Sequence, residues 1–194
     1  MKNSILSTLI NAVIARAGDK TPVIIAIDGP CATGKSTFAK QIAAQFDCNV
    51  FHMDDFFLTR EEKTEERLAT PGGNVAWERF RDTVLEPLMK NEPFTYQKYN
   101  CNNDGFYPSK EVQPKKLVVV EGVYSHHPEL AKYYDYKIFF DVTKKTQNER
   151  LKKRNSKKMY ERFVNEWIPM EDKYFEEFNC RATASFVFDT SKAF

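Results

Sequence analysis

Short β-branched apolar runs alternate along this chain with longer stretches whose apolar residues recur every three or four positions, which predicts an α/β fold. Val23-Ile24-Ile25-Ala26-Ile27 is the clearest run. It reads as a strand buried on both faces of a parallel sheet, and Pro22 before it suits a strand entrance because no ladder N–H is needed there. Strands are predicted over Val23–Asp28, Asn49–Met53, Leu117–Glu121, Tyr136–Asp141 and Ser185–Asp189, and helices over Ile5–Ala15, Lys35–Phe46, Trp77–Met89, Lys145–Asn155 and Tyr160–Glu177. Two segments break the alternation. The charged, then glycine-containing stretch Glu61–Asn74 reads as an exposed loop, and Phe94–Tyr107 reads as a hairpin turning at Asn102-Asn103-Asp104-Gly105.

At the N-terminus a lysine precedes an apolar stretch, as in a secretory leader. Ser7, Thr8 and Asn11 interrupt it, however, while Ile5, Leu6, Leu9, Ile10, Val13 and Ile14 form one stripe of an amphipathic helix. No run approaches the roughly 18 apolar residues of a membrane span. The expectation is a cytoplasmic protein without a membrane partner. A length of 194 residues with 42% hydrophobic content suits one domain over 1–194, with an N-terminal helix within 1–17. Net charge is only +2, which argues against a general nucleic-acid binder. Cys31, Cys48, Cys101 and Cys180 show no C-x-x-C or His/Cys clustering, so neither a disulfide scaffold nor a zinc site is indicated.

Chemistry enters at Gly29-Pro30-Cys31-Ala32-Thr33-Gly34-Lys35-Ser36, a complete G-x-x-x-x-G-K-[ST] phosphate loop between a predicted strand and a predicted helix. Backbone N–H groups of such a loop point inward at a β-phosphate, and the helix N-terminus that follows favours the anion. Gly29 through Ser36, with Thr37, are therefore the expected nucleotide-binding residues; Lys35 would reach the β- and γ-phosphates and Ser36 would ligate Mg²⁺. Two other strands end on acids, at Asp54-Asp55 and at Glu121. In a doubly wound sheet those ends face the triphosphate crevice. Asp54 is expected to orient a hydroxyl and act as general base, and Glu121 to hold Mg²⁺, with Asp54 also near the metal. From Lys144 to Arg162 there are nine Lys and Arg against two acids, a density that calls for an anion and predicts a lid over about 144–165. Arg150, Arg154 and Arg162 are its candidates for stabilising charge on the phosphates. The acidic stretch Glu171-Asp172 and Glu176-Glu177 is expected to compensate by pairing within its helix. Tyr96, Tyr99, Phe94 and Phe106 could stack on a base or simply pack the hairpin.

Beyond the phosphate loop, His-Met-Asp-Asp-Phe-Phe-Leu at 52–58, Thr-Glu-Glu-Arg-Leu at 64–68, Pro-Gly-Gly-Asn-Val at 71–75, Val-Val-Glu-Gly-Val-Tyr-Ser at 119–125 and Glu-Trp-Ile-Pro at 166–169 resemble the bacterial uridine-kinase-like P-loop kinases over most of the chain. The resemblance implies a three-layer α/β/α fold with a five-stranded parallel sheet, a helical lid, a substrate-side hairpin, and transfer of the ATP γ-phosphate to the 5′-hydroxyl of a nucleoside such as uridine or cytidine. It implies catalytic roles for Asp54, Lys35, Arg150 and Arg154, and acceptor contacts from Asp55, Phe56, Arg67, Tyr96, Tyr99, Asn100 and Tyr124. ATP and Mg²⁺ are the implied cofactors, a small-molecule acceptor the implied partner, and self-association is compatible with a chain of this size. Relatives tend to carry aspartate where this chain has Ala76 and Asn100, and uridine kinases proper place a histidine near Cys101. Those departures put the acceptor in question and leave open a kinase for another small acceptor, or a nucleotide-binding protein without transfer activity. No N-K-x-D motif is present, as a GTPase would need, and the Leu117 strand ends on Glu121-Gly122, where an ABC- or AAA-type motor would have an Asp-Glu pair.

Overall fold

A computed structural model describes residues 3–192. In chain order its regular elements are α1 (Asn3–Ala17), β1 (Val23–Asp28), α2 (Lys35–Ala43), β2 (Cys48–His52), α3 (Glu65–Ala69), α4 (Trp77–Phe80), α5 (Glu86–Lys90), β3 (Phe94–Tyr96), β4 (Tyr99–Asn100), β5 (Gly105–Phe106), β6 (Lys110–Val112), β7 (Leu117–Glu121), β8 (Tyr136–Asp141), α6 (Lys144–Arg154), α7 (Lys157–Arg162), α8 (Ile168–Glu177) and β9 (Phe186–Asp189). Five strands form one parallel sheet in the order β2-β7-β1-β8-β9. The register sets Ile27 and His52 on either side of Glu121, so the carboxyl ends of β1, β7 and β2 stand abreast. The topological switch lies there, where a ligand crevice forms in such sheets.

Successive β1 residues serve opposite faces, because a strand's side chains alternate. Val23, Ile25 and Ile27 pack with Ile10 and Val13 of α1 and with Phe38 and Ile42 of α2. Ile24 faces the other layer, with Phe51, Val118, Phe80, Leu88 and Tyr174. Two-sided burial is what the unbroken apolar run anticipates. Among the described residues no helix is long and apolar enough to cross a membrane.

Differences from the sequence expectations have local causes. The stretch expected as a loop over 61–74 contains α3, whose first turn is capped by Thr64 accepting from the Arg67 N–H at 3.1 Å. The hairpin runs further than expected, since Phe94 pairs Val112 and Tyr99 pairs Phe106, which makes two short ladders in series. Strand β2 starts at Cys48 and stops at His52, and Met53–Phe56 turn as a 3-10 helix. The helix expected over Lys35–Phe46 stops at Ala43. The helices expected over Trp77–Met89 and Tyr160–Glu177 each contain a π turn, Arg81–Leu85 and Phe163–Trp167. In each, a residue donates five back, Glu86 to Arg81 and Ile168 to Phe163, immediately before Pro87 and Pro169. A proline has no N–H to donate and its ring crowds the carbonyl four residues back, so the ladder widens at that turn.

Candidate active site

A cavity of about 380 Å³ opens at the carboxyl ends of the central strands. The loop after β1 contributes Cys31, Ala32, Gly34, Lys35, Ser36 and Thr37; the turn after β2 contributes Asp54 and Phe57; β7 and its loop contribute Glu121 through Tyr124. Asn74 closes one side, and Arg154, Phe163, Trp167 and Glu171 reach in from the lid helices. That size is ordinary for a small-molecule site.

The phosphate loop is tightly folded. Gly29 has φ +135°, and a Cβ there would stand 2.1 Å from the Phe140 carbonyl oxygen, so no other residue fits without moving β8. Gly29, Pro30 and Thr33 do not line the cavity; they shape the loop around Lys35, whose Nζ donates to the carbonyls of Gly29 at 2.6 Å and Pro30 at 3.0 Å and meets Thr33 Oγ1 at 3.5 Å. The Ser36 hydroxyl donates to Glu121 Oε2 at 3.2 Å, while Glu121 Oε1 lies 2.5 Å from His52 Nδ1. The hydrogen bond from Glu121 raises the His52 pKa against the opposing effect of burial. Asp54 has surface open to the cavity yet is surrounded by protein. Desolvation pushes its pKa up, Lys35 pulls it down, and the negative charge of Glu121 adds to the rise.

Ser36, Asp54 and Glu121 supply oxygen donors of the kind Mg²⁺ takes. Among the described residues there is no group of three or more His, Cys, Asp or Glu able to hold a metal by itself. Magnesium does not need one, because it usually takes one or two carboxylates and completes its shell with phosphate oxygens and water.

Several residues expected to touch an acceptor stand elsewhere. Phe56 is fully buried, edge-on to Phe80 and stacked with Tyr96. Tyr96 also meets Phe51 and belongs to the core cluster. Tyr99 is buried and donates its hydroxyl to Asp104 at 2.6 Å within the hairpin, and Asn100 accepts from the Asn102 N–H at 3.0 Å. Asp55 forms an ion pair with Lys98 at 2.7 Å. Arg67 grips both oxygens of Glu78 at 2.7 Å each and the carbonyls of Gly73 and Val75, so it fastens the 71–75 loop. Of that group only Tyr124 lines the cavity. The common reason is that apolar rings and paired charges near a crevice are stabilised more by joining the layer beneath it than by facing water.

The basic segment divides in the same way. Arg154 reaches the cavity and lies 5.3 Å from the Phe163 ring centroid. Arg150 donates to the carbonyls of Ala32 and Thr190, behind the loop. Arg162 pairs with Glu166 and covers Trp167 at 4.6 Å. Two of the acids expected to pair within α8 bond elsewhere: Asp172 reaches Lys144 of α6 at 2.7 Å, and Glu171 is buried, accepting from the Cys31 N–H at 2.9 Å.

Three groups escaped the sequence reading as site residues. Asp28 accepts from the N–H groups of Gly29 and His126 and from the Tyr174 hydroxyl, at 2.7, 2.8 and 2.9 Å, and so ties β1, the loop after β7 and α8 together. Its position closing an apolar strand is the available signal, since a buried carboxylate needs donors. Glu171 has its carboxyl pKa raised by desolvation, with the Cys31 N–H opposing. Asn74 hydrogen-bonds the Tyr124 side chain, although burial still pushes that phenol up. Burial, with the charge of Glu171, pushes the Cys31 thiol up to about 12, which leaves it unreactive despite its place in the loop.

The chain is similar to a protein named uridine kinase from Clostridium perfringens, at 28% identity over 133 residues that cover 63% of each chain, so it spans somewhat less than two thirds of that relative. A solved structure described as a possible uridine kinase from Bacillus stearothermophilus superposes with a TM-score of 0.73 at 20% identity, over 97% of this chain and all of the other. A D-glycerate 3-kinase from Cryptococcus neoformans shares the fold with a TM-score of 0.67 at 12% identity, over 97% and 95%. Residues 25–171, from β1 through the phosphate loop to the buried Glu171, match the family model described as the AAA domain, and the chain belongs to that P-loop family.

Proposed function

We propose that this chain is an ATP-dependent small-molecule kinase that transfers the γ-phosphoryl group to an acceptor hydroxyl. The observation that carries the reading is Asp54, a carboxylate with a raised pKa that faces the cavity from the end of β2 and lies within the electrostatic reach of Lys35 and Glu121. A binding module needs no base at that place; phosphoryl transfer does. Asp54 takes the proton as the acceptor oxygen bonds to the γ-phosphorus and the bond to the β–γ bridging oxygen breaks. Lys35 supplies positive charge beside the phosphates from within its own loop, and Arg154 supplies it from the lid. Ser36 and Glu121, with Asp54 near by, would hold Mg²⁺, which would supply neutralisation of phosphate charge. Phe163 and Trp167, also lining the cavity, exclude water from it when the lid helices lie over the triphosphate.

The acceptor belongs to the same proposal. Relatives named uridine kinase favour a nucleoside 5′-hydroxyl, and the aromatic lining of Phe57, Tyr124, Phe163 and Trp167 offers faces for a base. A motor fits less well, because β7 closes on Glu121-Gly122. The test is ADP release with Mg-ATP across nucleosides, nicotinamide riboside, pantothenate and simple sugars. Turnover with a pyrimidine nucleoside supports the full reading, and turnover only with another acceptor keeps the mechanism and replaces the substrate. Nucleotide binding with no turnover on any of them favours a binding protein or an acceptor outside this panel.

A further inference from the structure

The outer arm of the phosphate loop, Cys31-Ala32, is held from outside by α6 and α8, the helices before and after α7. Gln147 Nε2 of α6 donates to the Cys31 carbonyl at 3.1 Å and Arg150 Nη1 of α6 donates to the Ala32 carbonyl at 3.1 Å. From the other side Glu171 of α8 accepts from the Cys31 N–H at 2.9 Å. Gln147 and Glu171 are both buried, at 1% and 5% exposure. Between these helices run Asn155 to Trp167, which carry Phe163 and Trp167 into the cavity. The backbone they hold is strained: Ala32 has φ +63°, the left-handed region that a side chain with a Cβ disfavours. An outlier of this kind persists only where its surroundings over-determine it.

We infer that Glu171 is a positioning residue for the nucleotide, a latch from the lid's trailing helix that, with Gln147 and Arg150, keeps Ala32 left-handed and so keeps the loop N–H groups aimed at the phosphates. The inference rests on the nucleotide-binding part of the proposed function and extends it. Phosphate-loop shape and lid position are then one mechanical unit: a lid displaced from its seat draws α8 away and lets Ala32 relax. Glu171 accepts a hydrogen bond without touching a reacting atom, so its amide analogue does the same work.

The test is binding of a fluorescent, non-hydrolysable ATP analogue, with thermal unfolding followed in parallel. Glu171→Ala is expected to weaken binding roughly tenfold, the equivalent of one lost, buried hydrogen bond and the relaxation it permits. Glu171→Gln, which keeps the acceptor, is expected to stay within about threefold of the wild type. The decisive variant is Ala32→Gly combined with Glu171→Ala. Glycine adopts a positive φ unaided, so this pair is expected to recover most of the lost affinity. A merely structural role for Glu171 would lower stability alike in the single and the double variant and give no such rescue, which would overturn the inference. Unchanged affinity in Glu171→Ala would overturn it too. If the wild type itself binds no nucleotide, the underlying reading fails first, and that outcome is seen before any variant is made.

Discussion

The phosphate side and the hairpin side of the cavity are built on opposite principles. On the phosphate side, polar and charged groups are brought together by backbone: the loop after β1 wraps Lys35 with its own carbonyls, and the sheet register sets Glu121 beside His52. On the hairpin side the residues expected to meet an acceptor are used for packing, as Phe56 and Tyr96 sit in one aromatic cluster with Phe51 and Phe80. The first region assembles chemistry from residues whose side chains must remain available. The second supports that chemistry from beneath. A motif of charged and glycine residues is therefore read first as a candidate site, while an aromatic-rich hairpin beside it is read first as packing.

The contrast predicts that substitutions on the two sides separate activity from stability. Asp54→Asn should lower kcat by about 10²–10⁴-fold, the usual worth of a positioned general base, with nucleotide affinity and melting temperature close to wild type; steady-state kinetics with a competent acceptor checks it, and full turnover would remove Asp54 from its role. Tyr96→Ala should do the reverse. Emptying a buried aromatic site costs about 3–5 kcal/mol, read in urea unfolding, while KM for both substrates in the folded fraction stays unchanged; a selective rise in acceptor KM would return Tyr96 to the binding site.

His127 gives the subtler case. It is buried, stacked on Trp77 with ring centroids 5.0 Å apart, and burial lowers its pKa from 6.5 to about 4. Between those values the unfolded chain takes up a proton that the folded chain refuses. Stability associated with His127 is therefore complete above about pH 6.5 and is lost as pH falls toward about 4, a change on the order of 3 kcal/mol. In His127→Phe the stability difference between pH 7 and pH 4.5 should shrink relative to wild type. An equally steep profile in that variant would place the acid sensitivity elsewhere.

Much of this is legible in the chain itself, for identifiable reasons. The central strands β1, β7 and β8 fall where their apolar runs lie, because a strand buried on both faces has to be apolar throughout. The phosphate loop is recognisable because its function constrains local backbone, and local backbone is written in neighbouring residues. Helix α3 is hidden because charge masks a cap at Thr64, and the π turns are hidden because Pro87 and Pro169 sit in otherwise helical patterns. Arg150, Arg154 and Arg162 share one basic run, yet only Arg154 of the three lines the cavity among the described residues. Nothing in the run distinguishes them, since the difference comes from which carbonyls and rings each meets across the fold.

Sequence alone thus determined the α/β layering, the phosphate loop and the acids at the strand ends, all of which depend on residues near one another along the chain. Tertiary structure decided the partners of Asp28 and Glu171, more than 90 residues away apart from Gly29, and the burial of Tyr96 and Tyr99 of the hairpin. Those outcomes depend on burial, and burial is set only when distant segments meet: a carboxylate or a ring is the same residue in either setting until its neighbours fix what it must bond to.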